Sequence, residues 1–166
     1  MINCRTNNPA SILELADVDL ITLLDILFKE KSMSELELCK RIATEAHAGQ
    51  KRRDGIDYIH HPRSVAYEMP NDCLACVAWL HDVIEDTDET KESLLEKGVC
   101  EVTVDAVVKL SKIKGEDYLE YINRISDYGG LAKIKIMDMF DNLSDSPTDR
   151  QKVKYRKAIG TLLRSI

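Results

Sequence analysis

Proline and glycine are scarce, four and seven in 166 residues, and they fall in a few clusters. A sandwich of many short strands needs turn residues every few positions, so that class is disfavoured. Aromatic residues are also few: six tyrosines, two phenylalanines and one tryptophan. No apolar run approaches the roughly 20 residues needed to cross a bilayer, so a membrane partner is not expected. The opening MINCRTNNPASILEL has no basic stretch followed by an apolar core, so no secretory signal is read there. The five cysteines are odd in number and scattered, which points to free thiols in a reduced, cytoplasmic protein. Cys73 and Cys76 form a lone CxxC, and without a second pair nearby both are assigned to core packing. Positive charge is in deficit. The formal net charge is -6, which makes duplex nucleic acid an unfavourable partner, although Lys51, Arg52 and Arg53 form a local basic patch able to hold a small anion.

What the chain does have is helical periodicity. A first helix is expected within ASILELADVDLITLLDILFKE, as part of an N-terminal extension over residues 1–33. The rest, 34–166, reads as one domain. Ser34 and Glu37 make a capping box for a helix through LELCKRIATEAHAG. KRRDGIDYIHHP reads as a loop, with Pro62 opening the helix RSVAYEM. Asp72 is expected to cap a continuous helix CLACVAWLHDVIED, and Thr90 to cap KESLLEK, which Gly98 ends. EVTVDAVVKLSK, EDYLEYINRISDY, LAKIKIMDMFDNL and a last helix from near Thr148 complete an all-α bundle of about eight helices.

The stretch HDVIEDTDET carries the chemistry. With His81 at zero and about 100° per residue, Glu85, Asp82 and Asp86 fall at about 40°, 100° and 140° on a helix. Like charges at such spacing repel, and a cation would offset that. An imidazole beside a carboxylate suits a divalent transition ion such as Mn²⁺, Fe²⁺ or Zn²⁺. Asp138 interrupts the apolar run IKIMDMF, and an acid placed there needs a partner.

In order along the chain stand AHAGQKRRDGIDYIHHPRSVA, AWLHDVIEDTDET and KIKIMDMFDNLSD. This combination resembles the HD-domain hydrolases of the RelA/SpoT type, including the small stand-alone alarmone hydrolases, over roughly residues 38 to 160. The resemblance implies an all-helical, Mn²⁺-dependent enzyme of the stringent response that removes the 3′-pyrophosphate from (p)ppGpp with one bound ion. It implies His47, His81, Asp82 and Asp138 as metal ligands, and Glu85 and Asp86 as the pair that positions and activates the attacking water. It implies Arg52 and Arg53, with Lys51 beside them, and Asn142 as substrate contacts. His61 is assigned a structural part in shaping the loop. The sequence departs from the family pattern at Met139, where a basic residue is usual, at Asp141, where histidine or tyrosine is common, and at His60. Losing a positive charge and gaining a negative one leaves the nucleotide open, with Lys133 and Lys135 as candidates to compensate. Two other readings stand beside the first: hydrolysis of another 3′-phosphorylated nucleotide such as ppApp or NADPH, and a nucleotide-binding HD module without turnover.

Overall fold

The computed structural model describes residues 33–166. The expected helix within residues 10–30 lies outside them. Nine helical segments follow one another: α1 (Glu35–Ala46), α2 (His60–Tyr67), α3 (Asp72–Leu80), α4 (Val83–Asp86), α5 (Lys91–Glu96), α6 (Glu101–Leu110), α7 (Tyr118–Ser126), α8 (Gly129–Ser144) and α9 (Asp149–Leu162). All eight helices read from this part of the sequence are present. The ninth arises because the HD helix is broken in two at His81 and Asp82.

The caps explain most boundaries. Ser34 accepts from the Glu37 amide, whereas the Glu37 side chain pairs with Lys40 instead of closing a box. Asn71, not Asp72, caps α3 by accepting from the Leu74 amide at 3.0 Å. Reciprocal boxes open α5 (Thr90 with Ser93) and α9 (Thr148 with Gln151). α5 ends at Gly98, whose φ of +90° suits glycine alone among common residues.

α3 is the centre of the bundle. Ala75 to Leu80 are all buried, and the helix packs against α1, α2, α6 and α8. A helix apolar on every side must lie inside, and burying a side chain such as Leu80 contributes about 1.5–3 kcal/mol. Cys76 belongs to this core, but Cys73 is exposed, so only one of the CxxC sulfurs packs as expected. α8 approaches α3 closely at Gly130, where an added Cβ would meet Leu74 Cδ2 at 2.9 Å. α9 covers α7 and α8. Among the described residues there is no strand, only an isolated antiparallel bridge from Lys51 to Asp57 that folds the loop between α1 and α2 into a tight hairpin.

Candidate metal centre and phosphate cleft

Three elements bring ligand atoms to one point. α2 supplies His61 from its first turn, the α3–α4 junction supplies His81 and Asp82, and α8 supplies Asp138. His61 Nε2 lies 3.2 Å from His81 Nε2, 3.3 Å from an Asp82 oxygen and 3.2 Å from an Asp138 oxygen. His81 Nε2 is 3.0 Å from Asp82 and 3.9 Å from Asp138. All four side chains are buried or nearly so.

The other ring nitrogens fix what faces the centre. His81 Nδ1 is 2.7 Å from the Ala78 carbonyl, which can only accept, so Nδ1 carries the proton. His61 Nδ1 is 2.6 Å from Asp141 Oδ2 and donates to it. Neutral forms of both rings therefore turn bare Nε2 lone pairs toward each other and toward two carboxylates. That arrangement demands a positive charge between them. Burial by itself would push the His61 imidazole down, but Asp138, Asp141 and Asp82 outweigh it and push it up to about 11. A proton answers the demand with one charge. A divalent ion answers it with two, and the nitrogen and oxygen donors fit such an ion.

Supporting groups hold the carboxylates. Tyr58 donates to Asp82 at 2.6 Å and also reaches Asp86 at 3.3 Å. Lys135 pairs with Asp138 at 2.6 Å, and Asn142, one turn on, donates to the other Asp138 oxygen. Beside the centre a cleft of about 260 Å³ is lined by Tyr58, Asp82, Glu85, Asp86, Lys112, Tyr118, Tyr121, Lys135, Asp138, Asn142, Lys154 and Tyr155. Glu85 is fixed there by the Lys112 amide at 2.8 Å. Burial raises the carboxyl of Glu85 above the ordinary value, and burial together with Asp82 does the same for Asp86. Burial, and then the neighbouring Lys112 and Lys135, push the Lys154 ammonium down. Lys112, Lys135 and Lys154 line the same cleft, and an anion there would relieve their repulsion of one another.

The residues singled out in the sequence are distributed unevenly. His81 and Asp138 come together with His61, Asp82 lies 3.0 Å from His81 and 3.3 Å from His61, and Glu85, Asp86 and Asn142 line the cleft beside them. His47 is not among the converging ligands. It is buried at the end of α1, its Nδ1 2.8 Å from Gln50 Oε1, its Nε2 without a protein partner, and its ring 4.8 Å from that of Tyr58. His61 takes the converging position instead. Reading the helix as opening at Pro62 set His61 in the loop; α2 begins at His60, which puts His61 in line with the core residue Val65 one turn on. Arg52 and Arg53 do not line the cleft. Arg52 is 9% exposed at its side chain and is paired with Asp141 at 2.7 Å and Asp145 at 3.6 Å. Arg53 bonds to Asp145 and Gln151. Lys51 is exposed and paired with Asp57. Lys135 lines the cleft, and Lys133 does not. Sequence reasoning assigned no role to Tyr58, although it opens the YIHHP stretch, and it missed Lys112, Lys154 and Tyr155, which carry no local motif and are gathered only by the fold. A second cluster of Glu35, Cys39 and Cys76 lies in the core. Its carboxylate already accepts from the Cys100 amide and the Thr103 hydroxyl.

No family model matches the chain. Individual relatives do. A probable GTP pyrophosphokinase of Mycobacterium leprae is 31% identical over 147 residues, covering 80% of this chain and 19% of that protein. A guanosine-3′,5′-bis(diphosphate) 3′-pyrophosphohydrolase of Aquifex aeolicus is 31% identical over 77% of this chain and 20% of its own length. The bifunctional (p)ppGpp synthase/hydrolase SpoT of Escherichia coli is 40% identical over 59% of the chain and 15% of its own length. The chain thus spans about a fifth of the length of these relatives. Among solved structures, a metazoan ortholog of SpoT that hydrolyses ppGpp shares the fold, with a TM-score of 0.66 at 21% identity over 80% of this chain and 85% of that one. By sequence and by fold, the chain belongs with the RelA/SpoT-type HD-domain proteins.

Proposed function

We propose that residues 34–166 form a metal-dependent phosphohydrolase domain that removes the 3′-pyrophosphate from (p)ppGpp, with residues 1–33 as an N-terminal extension. The observation that carries this reading is the convergence of two bare imidazole nitrogens and two carboxylates at the edge of a lysine-lined cleft. His61, His81, Asp82 and Asp138 would hold one divalent ion, and Mn²⁺ suits their nitrogen and oxygen donors. When bound, the ion supplies Lewis-acid charge at the phosphoryl oxygens.

The chain's own residues do the rest. Lys112, Lys135 and Lys154 offset the charge of the diphosphates, and Tyr118 and Tyr155 wall the cleft. Glu85, held by the Lys112 amide, takes a proton from the attacking water. The water oxygen bonds to the phosphorus on the 3′-oxygen. The bond between that phosphorus and the 3′-oxygen breaks. A proton passes to the leaving 3′-oxygen, leaving a 3′-hydroxyl and free pyrophosphate. Asp86 lines the same cleft and acts with Glu85 in positioning the water, and the proton that Glu85 takes from the water is the one passed on. The four described cysteines are free, which agrees with a reducing cytoplasmic setting. Among the described residues, no helix is long and apolar enough to cross a membrane.

The test is product analysis by anion-exchange chromatography. The protein is incubated with ppGpp and Mn²⁺, with an EDTA control and parallel reactions on ppApp and NADPH. The expected result is GDP and pyrophosphate in equal amounts, only with metal, and loss of turnover in Glu85→Gln with the ion retained. Turnover of ppApp or NADPH but not ppGpp would replace the substrate and keep the centre. No turnover of any of them by metal-loaded protein would leave only a binding role.

A further inference from the structure

We propose that Asp141 is a positioning residue of this centre, clamped by Arg52 so that it locks the His61 ring with Nδ1 donating outward and Nε2 facing the ion. The proposal deepens, and rests on, the reading of the four side chains as a metal centre. Asp141 stands three residues past Asp138 on α8, so one helix supplies both a ligand and the group that orients another ligand. Its Oδ2 lies 2.6 Å from His61 Nδ1 and 2.7 Å from an Arg52 guanidinium nitrogen. A second Arg52 nitrogen donates to the Asp141 carbonyl at 3.2 Å. Arg52 is anchored on its far side by Asp145, which also accepts from the Arg53 amide at 3.2 Å. The chain of contacts therefore runs from the hairpin loop through Arg52 and Asp141 to His61. Each of its side chains is mostly buried.

A histidine that binds metal through one nitrogen needs its other nitrogen held, because the ring can otherwise flip or take the wrong tautomer. A carboxylate at Nδ1 does this and makes Nε2 a better donor. The negative charge that looked unfavourable for a phosphate substrate in the sequence is thus spent on His61 and Arg52. Arg52, in turn, acts through Asp141 and not on the nucleotide.

Two measurements on the full chain test this. In the first, Mn²⁺ is titrated into wild type, Asp141→Asn, Asp141→Ala and Arg52→Gln, and free ion is read by electron paramagnetic resonance, with circular dichroism as the folding control. Loss of an orienting group of this kind lowers metal affinity roughly 10–100-fold. We expect a loss of that size for Asp141→Ala, and smaller losses in the same direction for Asp141→Asn and Arg52→Gln. In the second, long-range ¹H–¹⁵N NMR of the Zn²⁺-loaded wild type reads the His61 tautomer and needs no variant to fold. The proton is expected on Nδ1. Wild-type affinity in a folded Asp141→Ala would overturn the positioning role and leave the metal centre standing, whereas a proton on Nε2 in the Zn²⁺-loaded wild type would overturn both, because a protonated Nε2 cannot hold the ion. Failure of wild type to bind Mn²⁺ at all would overturn the centre, and this proposal with it.

Discussion

His47 and His61 are buried to the same extent, yet only His61 faces ligand atoms. What separates them is the partner on the second ring nitrogen. Gln50 holds His47 next to Tyr58, while Asp141 holds His61 over the carboxylates. Gln50 stands three residues from His47, whereas Asp141 lies 80 residues from His61 and cannot be read from local sequence. The HD pair and Asp138 were legible for a different reason: a charge inside an apolar run has no cheap explanation other than a partner. Arg52 and Arg53 are read differently, from the resemblance and as a local basic patch. A basic pair in a loop looks free for a ligand until the fold brings Asp141 and Asp145 against it. The two histidines can be told apart by metal content. His61→Ala is expected to lose nearly all bound Mn²⁺ after dialysis, and His47→Ala to retain most of it, with inductively coupled plasma spectrometry as the readout. Retention in His61→Ala with loss in His47→Ala would restore the set expected from the resemblance.

Among the elements, the break at His81–Asp82 matters most. The wheel drawn for an unbroken helix placed the acids on one arc. The chain instead ends α3 at Leu80 and restarts at Val83, with His81 Nδ1 taking the Ala78 carbonyl. The remaining helices were legible because their caps and apolar stripes agree. The loop from Ser111 to Asp117 was not, since its order comes from a distant side chain. Arg124 on α7 grips Glu116 with two nitrogens at 2.8 and 2.9 Å and also bonds to the Ser111 and Lys109 carbonyls. That grip sets the Lys112 amide that holds Glu85. Arg124 also gives this loop a pH dependence. Its hydrogen bonds hold the Glu116 carboxyl down to about 2, from an ordinary value of 4.5. A lowered pKa means that the stabilisation is fully present above the ordinary value and is lost as pH falls through the lowered one. The urea midpoint of Glu116→Gln should therefore lie below that of wild type at pH 6, and the gap should narrow as pH drops from about 4.5 toward 2. A gap that stays constant or widens on acidification would show that the ion pair does not set this loop's stability.

For the molecule as a whole, scarcity of turn residues and the order of capped helices made the all-α class readable, and the shared fold with a SpoT ortholog bears it out. The cleft was not readable, because its lining is drawn from five stretches spread from Tyr58 to Tyr155. Its lysines come from three of them, so no run of basic residues announces it and the chain's net charge of -6 conceals it. The account rests on one physical claim: His61, His81, Asp82 and Asp138 together hold a divalent ion beside that cleft. The direct measurement is an anomalous difference map from crystals grown with Mn²⁺, collected on both sides of the manganese edge. The expected result is a single strong peak within about 2.0–2.4 Å of His61 Nε2, His81 Nε2 and one oxygen each of Asp82 and Asp138. A peak bound through His47 and not His61, or no peak between these four side chains in protein that holds the ion, would contradict it.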